Sequence, residues 1–158
     1  MQRIRFVLAL FVLIGIVGSA SANETFKQMA GRWRGSGTVN YSDGTRERVQ
    51  CRAAYDVLKN GTHLQLNIRC ASPSYNIDLV GSAQETNGRV TGTWSEASRN
   101  VAGQLSGTAE GNRVQVTATS PILTATLALV THGSRQSVSI RSENPQSGLQ
   151  SATLTLSR

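Results

Sequence analysis

The sequence predicts an all-β protein, an antiparallel up-and-down meander of about ten strands closed into a soluble β-barrel. Three observations carry that expectation. Beyond Phe26, apolar and polar residues alternate in short runs, and no long stretch repeats with the helical period. The runs are punctuated by Asp43-Gly44, Asn60-Gly61, Ser72-Pro73, Asn87-Gly88, Gly111-Asn112, Ser120-Pro121 and His132-Gly133, a rhythm of roughly 10 to 20 residues that suits successive hairpins. Centring a hairpin on each pair keeps one face apolar from strand to strand, and a long meander removes its open edges most simply by closing on itself.

The chain begins differently. Arg3 and Arg5 precede an apolar run over residues 6–17 and then Ala20-Ser21-Ala22, the charged, apolar and small-residue order of a secretory signal. The apolar run is shorter than the roughly 20 residues that span a bilayer. Residues 1–22 are therefore expected to be a signal peptide and residues 23–158 a single β-barrel domain, periplasmic or extracellular after cleavage. Without Arg3 and Arg5, 14 basic residues face 9 acidic ones, a net +5, and only Lys27 and Lys59 of the basic set are lysine. Such a domain meets anionic lipid or polysaccharide with a favourable field; nucleic acid is not an expected partner there.

Residues 24–30 allow a short helical lead-in, followed by GRWRGSG at residues 31–37. Counting back from Asp43-Gly44 as a two-residue turn turns Arg34 inward. One extra residue at Gly35-Ser36-Gly37 restores Trp33 to the interior, where it closes one end of the barrel. A phosphate-binding loop is excluded, because no Lys-Ser/Thr pair ends the motif and no helix follows.

In the next hairpin, centred on Asn60-Gly61, Val57 faces Leu64, Tyr55 faces Leu66, Ala53 faces Ile68 and Cys51 faces Cys70. In an oxidising compartment that pair is expected to be a disulfide, at the separation of about 5.5 Å typical of a hydrogen-bonded pair. Two cysteines and the distant His63 and His132 form no metal cluster. The Ser72-Pro73 turn sets Ile68 beside Ile77 and Leu66 beside Leu79. Asn87-Gly88 sets Gly81 beside Trp94, a loop over residues 97–100 sets Glu96 against Val101, and Gly111-Asn112 sets Leu105 beside Ala118. Ser120-Pro121 pairs Ala118 with Leu123, His132-Gly133 pairs Leu127 with Val138, and a last strand carries Leu154 and Leu156. A membrane barrel would turn this apolar face outward between aromatic girdles, and residues 23–158 hold only six aromatics.

The Gly31-Arg32-Trp33 opening after a short helix resembles the calycin barrels, the lipocalins, fatty-acid-binding proteins and avidins. With Gly35, Gly37 and Tyr41 it also looks like the opening of nitrobindin-type barrels, and Gly92-Thr93-Trp94-Ser95 is similar to strand motifs of avidins. The resemblance implies a ligand-holding barrel in which Trp33 is capped by a basic residue, Arg141 or Arg158. Nitrobindins bring a haem-ligating histidine from a strand near the C-terminus; here only His132 is offered, in a turn, so no haem or other cofactor is expected.

The inner face is rich in small residues, Gly81, Ala83, Gly92, Gly103, Gly107, Ala109, Ala118 and Ala125. Either a cavity lined by Tyr55, Leu66, Ile77, Trp94, Leu105 and Leu127 lies inside, with Glu96 at its rim to orient a polar end, or Trp94 packs over Gly81 and Gly103 in a filled interior. With the bulge, Arg32, Arg34, Arg46, Arg48, Arg52 and Arg69 point outward on the first three strands, near Tyr41 and with Glu47 turned away. No Ser–His–acid grouping or close carboxylate pair is present, so no enzyme is expected. The leading expectation is an exported barrel binding a small apolar or amphipathic ligand. The alternative is a filled barrel acting as an envelope interaction protein, contacting anionic lipid, polysaccharide or a protein through its arginines.

Overall fold

The computed structural model describes residues 23–158, and the expected signal segment lies outside them. A short helix α1 (Asn23–Met29) precedes ten strands: β1 (Gly31–Tyr41), β2 (Arg46–Leu58), β3 (His63–Ala71), β4 (Asn76–Thr86), β5 (Arg89–Glu96), β6 (Val101–Glu110), β7 (Arg113–Thr119), β8 (Thr124–His132), β9 (Arg135–Ser142) and β10 (Leu149–Ser157). Each pairs antiparallel with its sequence neighbours, and β1 pairs with β10 to close the barrel. Apolar side chains point inward and polar ones outward, the inverse of a membrane barrel. Among the described residues no helix is long and apolar enough to cross a membrane.

The expected faces are kept, and the hairpins show where pairing differs. Cys51 opposes Cys70 as expected, and the two form a disulfide. Their Cα atoms lie 4.1 Å apart, the close spacing of a non-hydrogen-bonded pair and not the wider one expected. At the first turn the odd residue sits in the loop. Tyr41 N–H donates to Thr45 O at 2.9 Å and Gly44 N–H to Tyr41 O at 3.1 Å. Gly44 adopts φ +86°, as the last residue of a three-residue hairpin loop requires. Trp33 then opposes Ala53 in an unbroken β1–β2 register, so no bulge is needed at Gly35–Gly37.

Those glycines serve another purpose. A Cβ on Gly35 would lie 1.9 Å from Thr155 O, and one on Gly37 2.0 Å from Thr153 O. The β10 backbone occupies the place of a side chain, and only glycine admits that approach.

Both Ser-Pro turns are four-residue loops, which slides pairing by two residues: Leu66 opposes Gly81 instead of Leu79, and Ala118 opposes Ala125 instead of Leu123. The serine hydroxyls set the loop length. Tyr75 N–H donates to Ser72 Oγ at 3.1 Å and Leu123 N–H to Ser120 Oγ at 3.0 Å. Each serine N–H returns a bond to the Tyr75 or Leu123 carbonyl at 2.8 Å. The last of these turns uses Gly133-Ser134, with His132 opposite Arg135, so Leu127 meets Ile140 and not Val138. A slide of two keeps every side chain on its face.

One end is sealed. Helix α1 sends Phe26 and Met29 into the core, and Thr25 Oγ1 donates to Gly111 O at 2.9 Å. Trp33 is wholly buried and its indole N–H donates to Met29 O at 2.7 Å. The Arg158 guanidinium stacks 4.7 Å over the Trp33 ring and donates to Ala30 O and Gly133 O. Of the two cap candidates the fold thus uses Arg158. Arg141 instead lies exposed on β9.

Trp33→Ala should destabilise the barrel by about 3–5 kcal/mol, the range for emptying a buried aromatic site, measured by urea unfolding. Reducing the disulfide, whose cysteines are 19 residues apart in sequence, should cost about 3 kcal/mol; the urea midpoint with and without dithiothreitol checks it.

Candidate functional site

Inside the barrel burial is uneven: Val39, Val49, Ala118, Ala125 and Ala152 are buried toward the Ser-Pro loops as well, while several larger aliphatic side chains are not. Phe26, Met29, Trp33, Tyr55, Val90 and Leu156 at the sealed end are fully buried. Toward the opposite mouth, formed by the Ser-Pro loops and the β1–β2, β5–β6 and β9–β10 connections, Leu66, Ile68, Leu105, Leu127, Ile140 and Leu154 are only partly buried. A close-packed core leaves little such exposure on inward side chains. These side chains line the half of the interior beyond the sealed end.

The expected lining residues divide between wall and floor. Leu66, Leu105 and Leu127 are partly buried on the inner face, and Ile77 stands nearer the mouth, opposite Cys70. Trp94 lies between Gly81 and Gly103 with only 8% of its surface exposed. Its Nε1 is 2.9 Å from where a Gly103 Cβ would be, so the ring lies flat along the wall. The indole N–H has no hydrogen-bond partner among the described residues. Tyr55 is part of the floor: its hydroxyl donates to Gln136 Oε1 at 2.9 Å, and Gln136 Nε2 donates to Thr131 Oγ1 at 3.1 Å. Burial pushes the Tyr55 phenol far up, so it stays neutral.

Gln136 and Thr131 were not singled out from the sequence. Their parity with Val138 and Leu129 marked both as inward, but polarity hid them. Glu85 is also buried at the sealed end, where its Oε1 accepts the Gly88 N–H at 2.5 Å and holds the β4–β5 turn.

Glu96 lies at the rim, but its carboxylate is spent on backbone. Oε1 accepts the Asp78 and Ser98 N–H groups at 3.0 Å each, and Oε2 accepts the Arg99 N–H at 2.9 Å. Burial pushes this carboxyl up, yet the hydrogen bonds from Asp78, Ser98 and Arg99 together outweigh it and hold it below the ordinary value. The group thus latches the β5–β6 loop to β4. A lowered folded pKa stabilises above the unfolded value, and that stabilisation is lost as pH falls through the folded one. Glu96→Gln should therefore cost about 1.5–3 kcal/mol at neutral pH, with the gap from wild type closing in acid, as read from urea midpoints across a pH series.

On the outer wall all six expected arginines are exposed. Arg34 stands directly opposite Arg52, and Arg52 opposite Arg69, a row across β1, β2 and β3. Arg32 meets Asp56 at 3.4 Å and Arg69 meets Asp78 at 3.3 Å, while Arg46 Nε donates to Asn40 Oδ1 at 2.9 Å. Arg34, Arg48 and Arg52 have no acidic partner among the described residues. Glu47 opposes Val39, turned inward as expected, and accepts from Ser72 Oγ at 2.5 Å. Tyr41 also turns inward at the mouth, against Tyr75 at 5.5 Å, and is not beside the arginines. His132 is exposed at the end of β8, its ring against Asn112, and is not turned toward a group held inside the barrel.

No protein-family model and no curated protein matches the chain. Solved structures do. Rv2717c from M. tuberculosis is similar over 88% of this chain and 98% of its own, with a TM-score of 0.69 and 14% identity. The S-type phycobiliprotein lyase CPES from Guillardia theta is similar over 89% of this chain and 94% of its own, with a TM-score of 0.65 and 12% identity. A protein of unknown function from the DUF3598 family, from Nostoc punctiforme, aligns over 90% of this chain at a TM-score of 0.58 and 14% identity, and this chain spans 53% of its length. These likenesses are ones of shape: the chain carries the closed, lipocalin-like barrel of the calycin type.

Proposed function

We propose that this chain is an exported barrel that holds a small apolar or amphipathic ligand in its cup, as a carrier or sensor and not as a catalyst. The observation that carries the reading is the contrast along one apolar face, sealed at Trp33 and only partly buried at Leu66, Leu105 and Leu127. A filled barrel of this sequence has no reason to leave its leucines exposed inside, because each costs about 25 cal/mol per Å² of apolar surface left in water. The shared shape with a phycobiliprotein lyase supports a barrel with a task beyond its own stability. The signal-like residues 1–22 and the Cys51–Cys70 disulfide support export.

In this reading Leu66, Ile77, Leu105 and Leu127 contact the ligand and Trp94 forms a flat wall beside it. Tyr55 supports the floor, and Glu96 shapes the mouth.

Native mass spectrometry of the protein purified from its own envelope should show a co-purifying small molecule. An uncharged naphthylamine dye should bind and quench Trp94 emission. Leu105→Trp should weaken dye binding by at least about tenfold by filling the cup, with the melting temperature held within a few degrees. A consistently bare chain that takes up no dye would overturn the reading.

A further inference from the structure

The outer wall holds a feature that the cup does not use. Side chains opposite one another on adjacent strands stand about 5 Å apart, and like charges so placed repel. Arg34, Arg52 and Arg69 occupy three such positions in a line, and only Arg69 has an acid, Asp78, beside it. The residues are arginines and not lysines, so each offers a planar fork suited to a carboxylate or sulfate.

An open groove of about 740 Å³ lies along β2 to β6, reaching Asn67, two positions from Arg69 on the same face of β3. Its lining includes Gln65, Ser82, Thr93 and Gln104, which oppose one another in turn across four strands, with Asn67 one step nearer the arginines. Amides and hydroxyls both donate and accept, the chemistry that matches a hydroxyl-rich chain. The one acid in the groove, Asp56, is drawn to Arg32.

We propose that this wall binds an anionic polysaccharide, its acidic groups on the Arg34–Arg52–Arg69 row and its sugar hydroxyls in the groove. Two observations favour that occupant over other anions. The surface is concave and its exposed large apolar residue is Val80 alone, whereas a membrane-binding face presents an apolar layer to insert. The outer faces of β1 to β6 carry no Trp, Tyr or Phe, the platforms on which single-stranded nucleic acid stacks. The groove's lining also includes the inward positions Leu66, Gly81, Trp94 and Gly103, but the polar side chains offered to the polysaccharide are those of outward positions.

The test is titration calorimetry with heparin and with polygalacturonate, using neutral dextran as control. Wild type should bind both acidic chains, more weakly as salt rises, and ignore dextran. Replacing Arg34, Arg52 and Arg69 together by serine should weaken binding at least about tenfold, whereas Arg135→Ser with Arg141→Ser on β9 should change it less than about threefold. Ser82→Trp, which fills the groove and keeps every charge, should weaken binding at least about fivefold. Circular dichroism checks that each variant is folded. Unchanged binding by the Ser82→Trp variant would reduce the wall to charge alone and overturn the proposal. So would tighter binding of wild type to phosphatidylglycerol vesicles or to DNA, or no binding to either acidic chain at low salt.

Discussion

The pairing of β1 with β10 is the contact on which the rest of the molecule depends. Without it the meander is an open sheet with two edges and no sealed end. The close approach is set by absent atoms, because Gly35 and Gly37 leave room for Thr155 O and Thr153 O where a side chain would stand. The same seam places the chain's last residue over its first strand: Arg158, just past β10, covers the Trp33 ring while the Trp33 N–H holds the end of α1. Closure and sealing are thus one event, and both tie residues more than a hundred positions apart.

Within the closed wall, one inward face serves two purposes. At the sealed end Tyr55, Gln136 and Thr131 bond in a chain, which offsets the cost of burying them, whereas Glu85 Oε2 is buried without a partner among the described residues. Toward the mouth the wall is aliphatic and polar atoms are drawn into the loops. Glu96 and the serines of the two Ser-Pro turns spend their oxygens on backbone N–H groups. The inward Glu47 at this end is likewise engaged, accepting from the Ser72 hydroxyl.

The outer face follows a different logic. Around most of the barrel it is a mixture of threonine, serine and glutamine, the ordinary covering of an exposed strand. On β1 to β3 it departs from that, with arginines opposing arginines across two consecutive ladders. Such a row of like charges opposes folding slightly.

What the amino-acid order determined by itself is what depends on parity. Alternation placed Cys51, Tyr55, Leu66, Trp94 and Leu105 inside and Arg46, Arg48, Arg52 and Arg69 outside, with Arg32 and Arg34 following only once a bulge is added, and the Asn60-Gly61 turn aligned the two cysteines. Side chains alternate with period two, so a slide of two residues leaves these assignments intact. That is why the Ser-Pro loops changed the partners of Leu66 and Ala118 without moving either off its face. Trp33 appeared to need a bulge because one residue was missing from the count, and it lay in the Ser42–Gly44 loop, whose length depends on Gly44 adopting a positive φ. Depth and distant partners were left to the tertiary structure. Only closure showed that Tyr55 is fully buried and Leu105 only partly, that Arg158 and not Arg141 covers Trp33, and that three arginines stand in line. Facing is a property of neighbours along the strand; burial and alignment depend on strands that meet only when the barrel is shut.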